Sequence, residues 1–525
     1  MARRGVSGYD TSAEAFFDDR RHGRDPPFPG FGRRALPHVC ALRHRMSQAQ
    51  RILKNAAALY VAEILARAML LIQIVLVARM LGSTEFGKQA LVLSVLAIAG
   101  NVTDFGFSTL GVKLIAAEPH EINRIGSAML TIKVAVGFLT SAVIIAVVLV
   151  ARMPADLTWM FIFSALTLIS TAYTTSMSSI YRGREIMQYD AYGRIGLAFL
   201  TTASGALLLV WGKGIVAIVA MTSALTVVNA LYMKSINSRR KLFQFQLPES
   251  VQQCNQLAKQ ALPFVSLAVL IAISYRVDTL ILGLFESTTV VGEYSAAYRI
   301  FELFLIVPAI FAGVLLPATS ARLHSDEASA QTLTMTALRY FLYLSLPLAV
   351  GLSMLSEPII DLVYGDEYPG SVVVLQLMSF TVIPTFIGHL TANLFHASKR
   401  PQRYTYIALF SVFFNIFFSF LLIPMFGMVG AAVTSVATQS IVVVIGTYLI
   451  NRHIIALPFW QDMWRPAIAS AVMAAGIYLY QSIWLIPGYV LIYLVVLYAV
   501  RGFSERDLEM VRSALHARRK GAVAK

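Results

Sequence analysis

From about residue 52 to residue 501 the chain is a succession of apolar runs separated by short polar connections. An α-helix needs roughly 20 apolar residues to cross the hydrocarbon of a bilayer. On that measure the runs predict helices over 52–78, 88–112, 125–151, 157–181, 191–211, 214–233, 261–285, 291–318, 334–356, 370–397, 402–424, 428–450, 465–482 and 486–501. The expected fold is therefore an all-α integral membrane protein of about fourteen spans, since lipid offers no partner for an unpaired backbone group. A soluble domain would need more polar surface than 57% hydrophobic and 14% charged residues can supply. The net charge of +15 is read as topogenic cations and contacts with anionic lipid, not as a nucleic-acid surface. Cys40 and Cys254 form neither a disulfide framework nor a zinc motif.

Lysine and arginine alternate between the two sets of connections. One set carries Lys113, Arg124, Arg182, Arg184, Arg194 and the run Lys234 to Lys241, and continues through Arg403 and Arg452. The opposite set holds only Arg79, Lys88, Arg152 and Lys213, and its last four members, including "YGDEYPG" (Tyr364–Gly370), hold none. The excess marks the cytoplasmic side, so both termini are expected inside. Five segments follow: an extension over 1–46, rich in arginine and either disordered or a mis-assigned start; a first lobe over 47–233; a linker over 234–260; a second lobe over 261–451; and two more helices with a basic tail over 452–525. The turns "LGSTEFG" (Leu81–Gly87) and "FESTTVVG" (Phe285–Gly292) have similar wording, each after the first span of a lobe. Lobes of six spans each would share one orientation, related by an axis along the membrane normal.

Four stretches, "ARMLGSTEFGKQALVLSVLAIAGNVTDFGFSTLGVKLIA", "DTLILGLFESTTVVGEYSAAYRIFELFLIVPAIFAGVLLPATSARL", "PIIDLVYGDEYPGSVVVLQLMS" and "ASKRPQRYTYIALFSVFFNIFFSFLLIPMFGMVGAAVTSVATQS", resemble the polysaccharide biosynthesis, or Wzx-type, flippases. Their order and spacing agree over about Met46 to Arg501. The resemblance implies two six-helix lobes around a central cavity that opens alternately to each side, plus two helices, in the bacterial inner membrane. It also implies a cargo of undecaprenyl-diphosphate-linked oligosaccharide moved to the outer leaflet, for O-antigen, capsule or exopolysaccharide, with a polymerase and glycosyltransferases as pathway partners. The larger superfamily includes multidrug exporters and lipid II flippases, and fold alone does not choose among their cargoes.

Ionisable groups within spans cost about 2.5 to 3.5 kcal/mol each at a helix centre on insertion scales, so they mark function or deliberate pairing. Eight stand out: Glu63 and Arg67 at i,i+4, Asp104, Lys133, Arg276, Asp278, and Arg299 with Glu302 at i,i+3. By position along their helices, Lys133 and Asp104 fall in the inner half, Glu63 and Arg67 near the middle, and Arg276, Arg299 and Glu302 in the outer half. Arg276, Arg299, Arg67 and Lys133 are candidates to attract the pyrophosphate of a lipid-linked sugar, because guanidinium forks match phosphate oxygens. Glu302, Asp278, Glu63 and Asp104 would tune those cations or carry a coupling H⁺ or Na⁺. The competing reading is mutual neutralisation between helices, which fits Glu63 with Arg67, and Asp104 beside a helix end, better than it fits Arg276 and Arg299. Asn393, Asn415, Gln73 and Gln439 could bind sugar hydroxyls or simply join helices. His389 and His396 imply no metal, and no cofactor motif is present.

A glycosyltransferase or polymerase would place catalytic carboxylates or histidines on a sizeable water-exposed loop, and every outer connection here is short. The chain has no GxxxxGK[ST], GxSxG or HExxH motif. A transporter that draws on a gradient is the expected class, with a cation-coupled drug exporter as the alternative. A reporter fused after Lys241 should behave as cytoplasmic and one within Tyr364–Gly370 as external. A periplasmic signal from the Lys241 fusion would invert the orientation.

Overall fold

The computed structural model describes residues 48–248, 250–398, 402–456 and 463–503. The extension over 1–46 and the basic tail beyond Phe503 lie outside the described residues. The described residues from Lys54 onward form one compact unit. Among the described residues every regular element is a helix.

The helices are α1 (Gln48–Asp104), α2 (Phe107–Ala117), α3 (Ile122–Val150), α4 (Ala155–Gly183), α5 (Gln188–Val210), α6 (Ile215–Arg240), α7 (Val251–Phe285), α8 (Thr288–Phe304), α9 (Ile306–Ser325), α10 (Glu327–Met354), α11 (Ser356–Val363), α12 (Pro369–Ser379), α13 (Val382–Ala397), α14 (Gln402–His453), α15 (Trp464–Leu479) and α16 (Ile486–Ala499). Eight stretches are long and apolar enough to cross a membrane, and the α12–α13 pair, bent by 44°, makes nine. Length and composition thus do not establish the expected fourteen. α14 contains two expected spans and is broken at Gly427, whereas α1, broken at Gly82, contains the first expected span and only part of the second, 88–112, which is interrupted at Phe105–Gly106 before α2; all three glycines have positive φ. Gly82, at φ 78° and ψ 177°, holds a conformation that side-chain-bearing residues avoid, which is why the first two expected spans part there.

Two expectations need correction. The segment 291–318 is not one helix, because α8 ends at Phe304 and α9 begins at Ile306. Pro308 explains the break, since its ring crowds the carbonyl four residues earlier and it has no N–H to give. The connection expected over 234–260 is largely helical, leaving only 241–250 between α6 and α7. That strap is fastened along α3: Gln244 N donates to Asn123 Oδ1 at 3.0 Å and Gln246 N to Ser127 Oγ at 2.9 Å. Phe243 is buried beneath it.

The two similarly worded turns pack against each other. A Cβ on Gly87 would collide with the Thr288 carbonyl oxygen, and a Cβ on Gly292 with that of Ser83. The hydroxyls of Thr84 and Thr289, 205 positions apart, lie 2.8 Å from each other. Ser83 with Thr288, and Gly87 with Gly292, stand in the same register, so this contact is reciprocal under exchange of the two turns. Glycine is required here by close approach of backbone to backbone. Beside it, Tyr368 donates to the Ala78 carbonyl at 2.8 Å and Arg79 Nε to that of Val363 at 2.7 Å, with a second Arg79 bond to Leu362. Arg79 thereby meets the orphan carbonyls at the C-terminus of α11.

The crossing predicts that Thr84→Cys with Thr289→Cys, in a chain whose Cys40 and Cys254 are replaced by serine, oxidises to an internal disulfide. With a protease site placed in 241–250, the cut halves should stay together on a non-reducing gel. Separation under oxidising conditions would contradict the contact.

Candidate functional site

Arg276 on α7 and Arg299 on α8 converge on Glu302. Arg276 Nη2 lies 3.0 Å from Glu302 Oε1, and Arg299 Nη1 lies 2.6 Å from Oε2. Each carboxylate oxygen therefore receives one guanidinium, one from its own helix at i,i+3 and one from its neighbour. The Arg276 guanidinium also sits 5.7 Å from the ring centroid of Tyr298, which restricts it further. Side-chain exposures of 17% for Arg276, 16% for Arg299 and 34% for Glu302 leave the group reachable. Two cations share one anion, so one positive charge is uncompensated.

Asp278 belongs to a different environment. Two positions from Arg276, it is turned by about 200° around the same helix. There it is buried and accepts hydrogen bonds from Ser435 Oγ at 2.5 Å, Ser419 Oγ at 3.0 Å and Tyr294 Oη at 3.4 Å. No ion pair joins it to a cation among the described residues. A space of about 20 Å³ adjoins it, lined in part by Asn415, Ser411, Thr438 and Gln439. That is room for one water-sized occupant. Asn415 Oδ1, buried there, has no hydrogen-bond partner among the described residues.

Lys133, 0% exposed, is held 2.7 Å from Asp104 and donates to Thr175 Oγ1 at 3.0 Å. Asp104 also accepts from Ser108 N at 3.1 Å and Ser108 Oγ at 2.6 Å, which secures the first turn of α2. The structure brings Lys133 together with Asp104 and not with the arginines.

Glu63 is bonded by Arg67 Nε at 2.9 Å and by Arg194 Nη1 at 3.3 Å. Arg194 Nε continues to Asp190 at 3.1 Å, and Asp190 is held by Arg182 at 2.9 Å and Ser178 Oγ at 2.6 Å. Arg182, Asp190 and Arg194 were not singled out as site residues from sequence, because the two arginines serve equally well as topogenic loop cations. The i,i+4 spacing of Asp190 with Arg194, matching Glu63 with Arg67, was the available signal. Arg194 lies about 9 Å into α5 from its start. Its bond joins Glu63 on α1 to the first turns of α5.

Asn393 donates to the Ala312 carbonyl at 2.9 Å and joins α13 to α9. Gln73 is buried against α5 at Gly205. Among the described residues no three His, Cys, Asp or Glu side chains are grouped as metal ligands. A separate cavity of about 360 Å³ lies between α10 and the pair α15–α16, walled by Tyr343, Pro347, Leu352, Met473, Tyr489 and Tyr493 among other uncharged residues.

Residues 52–323 match the family model described as polysaccharide biosynthesis protein, and residues 195–499 match that of the lipid II flippase MurJ. A probable flippase, AglR, of Haloferax volcanii is 27% identical over 205 residues, 38% of this chain and 43% of that protein. The chain spans less than half the length of the curated relatives it matches. The lipid II flippase MurJ in an inward closed conformation superposes with a TM-score of 0.71 at 15% identity, covering 87% of this chain and 99% of that one. An inward-facing multidrug resistance MATE family transporter gives 0.61 at 12% identity, covering 79% and 96%. These solved structures share the fold.

The Lys133–Asp104 pair gives a stability prediction. Asp104→Asn strands a buried ammonium, and loss of one partner of such a pair costs about 3 to 5 kcal/mol. Lys133→Met added to Asp104→Asn should recover most of that loss. Thermal unfolding in detergent reads both, and an unchanged midpoint for Asp104→Asn would show that the pair holds nothing.

Proposed function

The chain belongs to the polysaccharide biosynthesis protein family, and we propose that it is a flippase-type transporter rather than an enzyme, with an undecaprenyl-diphosphate-linked oligosaccharide as its cargo. The cargo moves from the inner to the outer leaflet of the bacterial inner membrane by alternating access, with both termini inside, and is then used by a polymerase and glycosyltransferases. The observation that carries this reading is the group Arg276, Glu302 and Arg299, which faces partly exposed space with one positive charge in excess. Low surrounding polarity strengthens its attraction for phosphate, and guanidinium forks give that attraction direction. A diphosphate headgroup is favoured at such a place, whereas a cationic drug is repelled.

Asp278 supports coupling to H⁺ or Na⁺. A buried carboxylate surrounded by hydroxyl and amide oxygens, with room for one small occupant, suits a proton or a partly dehydrated monovalent cation. It shares α7 with Arg276, so a change at one is felt by the helix that carries the other.

The test is surface polysaccharide in a flippase-deficient strain, normalised to protein in the membrane. Arg299→Ala with Glu302→Ala should insert at normal levels and fail to export, while Arg299→Lys should be intermediate because it keeps the charge and loses the fork. Asp278→Asn should abolish the dependence of transport on the coupling gradient. The same variants assayed under lipid II flippase depletion distinguish the two lipid-diphosphate cargoes. Full export by the double variant would reduce Arg299 and Glu302 to a packing pair.

A further inference from the structure

The arrangement at Glu302 occurs twice. Glu63 also holds one guanidinium on each carboxylate oxygen, Arg67 from its own helix at Oε1 and Arg194 from a neighbouring helix at Oε2. With Asp190 and Arg182 included, three guanidiniums share two carboxylates in the described ion pairs, so guanidiniums outnumber carboxylates by one here too. Its carboxylates are well supplied: Asp190 is 1% exposed and bonded by two arginines and Ser178. Its guanidiniums are less so. Arg67, 62% exposed, uses only Nε in the bonds described, and Arg194, 34% exposed, uses Nε and Nη1.

Depth separates the two groups. Counted back from the crossing of the two turns at about 1.5 Å per residue, Arg299 lies about 10 Å from Gly292 and Arg276 about 14 Å from Phe285. On the same count Arg67 lies about 22 Å and Glu63 about 28 Å from Gly82. The two groups therefore stand at different distances along their helices from the crossing, one near the α4–α5 turn and one nearer the crossing.

We propose that Arg67 and Arg194, held on Glu63, form a second binding site for the diphosphate of a lipid, at the end of the transport path remote from Arg276, Glu302 and Arg299. The headgroup engages the unused Nη donors without displacing Glu63, because the charge it needs is already in excess. It is held at this site before it reaches the other. The proposal rests on the reading of the cargo as a lipid diphosphate, and Arg194 is the residue it adds.

The test uses the full chain in phosphatidylcholine nanodiscs, titrated with farnesyl diphosphate by calorimetry. Two equivalents should bind. Arg67→Gln with Arg194→Gln should remove one of them, and Arg276→Gln with Arg299→Gln the other. Glu63→Gln guards against misfolding of the first pair, since it keeps both arginines and releases their donors; affinity at this site should rise about tenfold, the scale of one charge-assisted hydrogen bond. A single equivalent, lost only with Arg276 and Arg299, would overturn the second site and leave the proposed function standing. A single equivalent lost only with Arg67 and Arg194 would do the reverse. Equal displacement by phosphatidylglycerol would also overturn the proposal, by showing an ordinary anionic-lipid contact.

Discussion

Hydrocarbon gives a polar group no partner, and the breaks in the apolar helices and the charges set within them answer that constraint. The breaks show it at the backbone level. Phe304 ends α8 where Pro308 would crowd its carbonyl, and the chain resumes as α9 with only Leu305 between. The free carbonyls at the end of α11 are met by Arg79, which spends its charge on backbone and not on a carboxylate.

The same constraint sorts the intramembrane charges into three kinds. Lys133 and Asp104 cancel, are tied further to Thr175 and Ser108, and present no net charge. Asp278 is satisfied by neutral donors, which support its charge without neutralising it. Around Glu302 and Glu63, guanidiniums outnumber carboxylates. Only the last kind can accept an anion without first giving up a partner.

Much of this was legible in the sequence because it depends on local spacing. The apolar runs, the charges within them, the i,i+3 pair at Arg299 and the shared face that excludes Asp278 from Arg276 all follow from helical period. What was not legible depends on which helices become neighbours. Arg194 reads as a loop cation until α5 is seen against α1, and Ser419 and Ser435 are ordinary small residues until α14 brings them to Asp278. The likeness of "LGSTEFG" and "FESTTVVG" could be read directly, but wording says nothing of contact. That the two turns touch each other, glycine against carbonyl, is a tertiary fact.

The crossing of the two turns is itself built from uncharged groups. Its parts are two close glycine contacts and one hydroxyl pair between Thr84 and Thr289. A neutral hydrogen bond contributes a net of about 1 kcal/mol, and the hydroxyls can be re-satisfied by water when the turns separate. A buried ion pair at the same place would cost several times more to open, because each charge would need new solvation. The pairs that are costly to break, Lys133 with Asp104 and Arg182 with Asp190, lie within α1–α5. The crossing's own hydroxyl pair is therefore the weaker contact, and the firmer ties beside it are the Arg79 and Tyr368 bonds to the Val363 and Ala78 carbonyls.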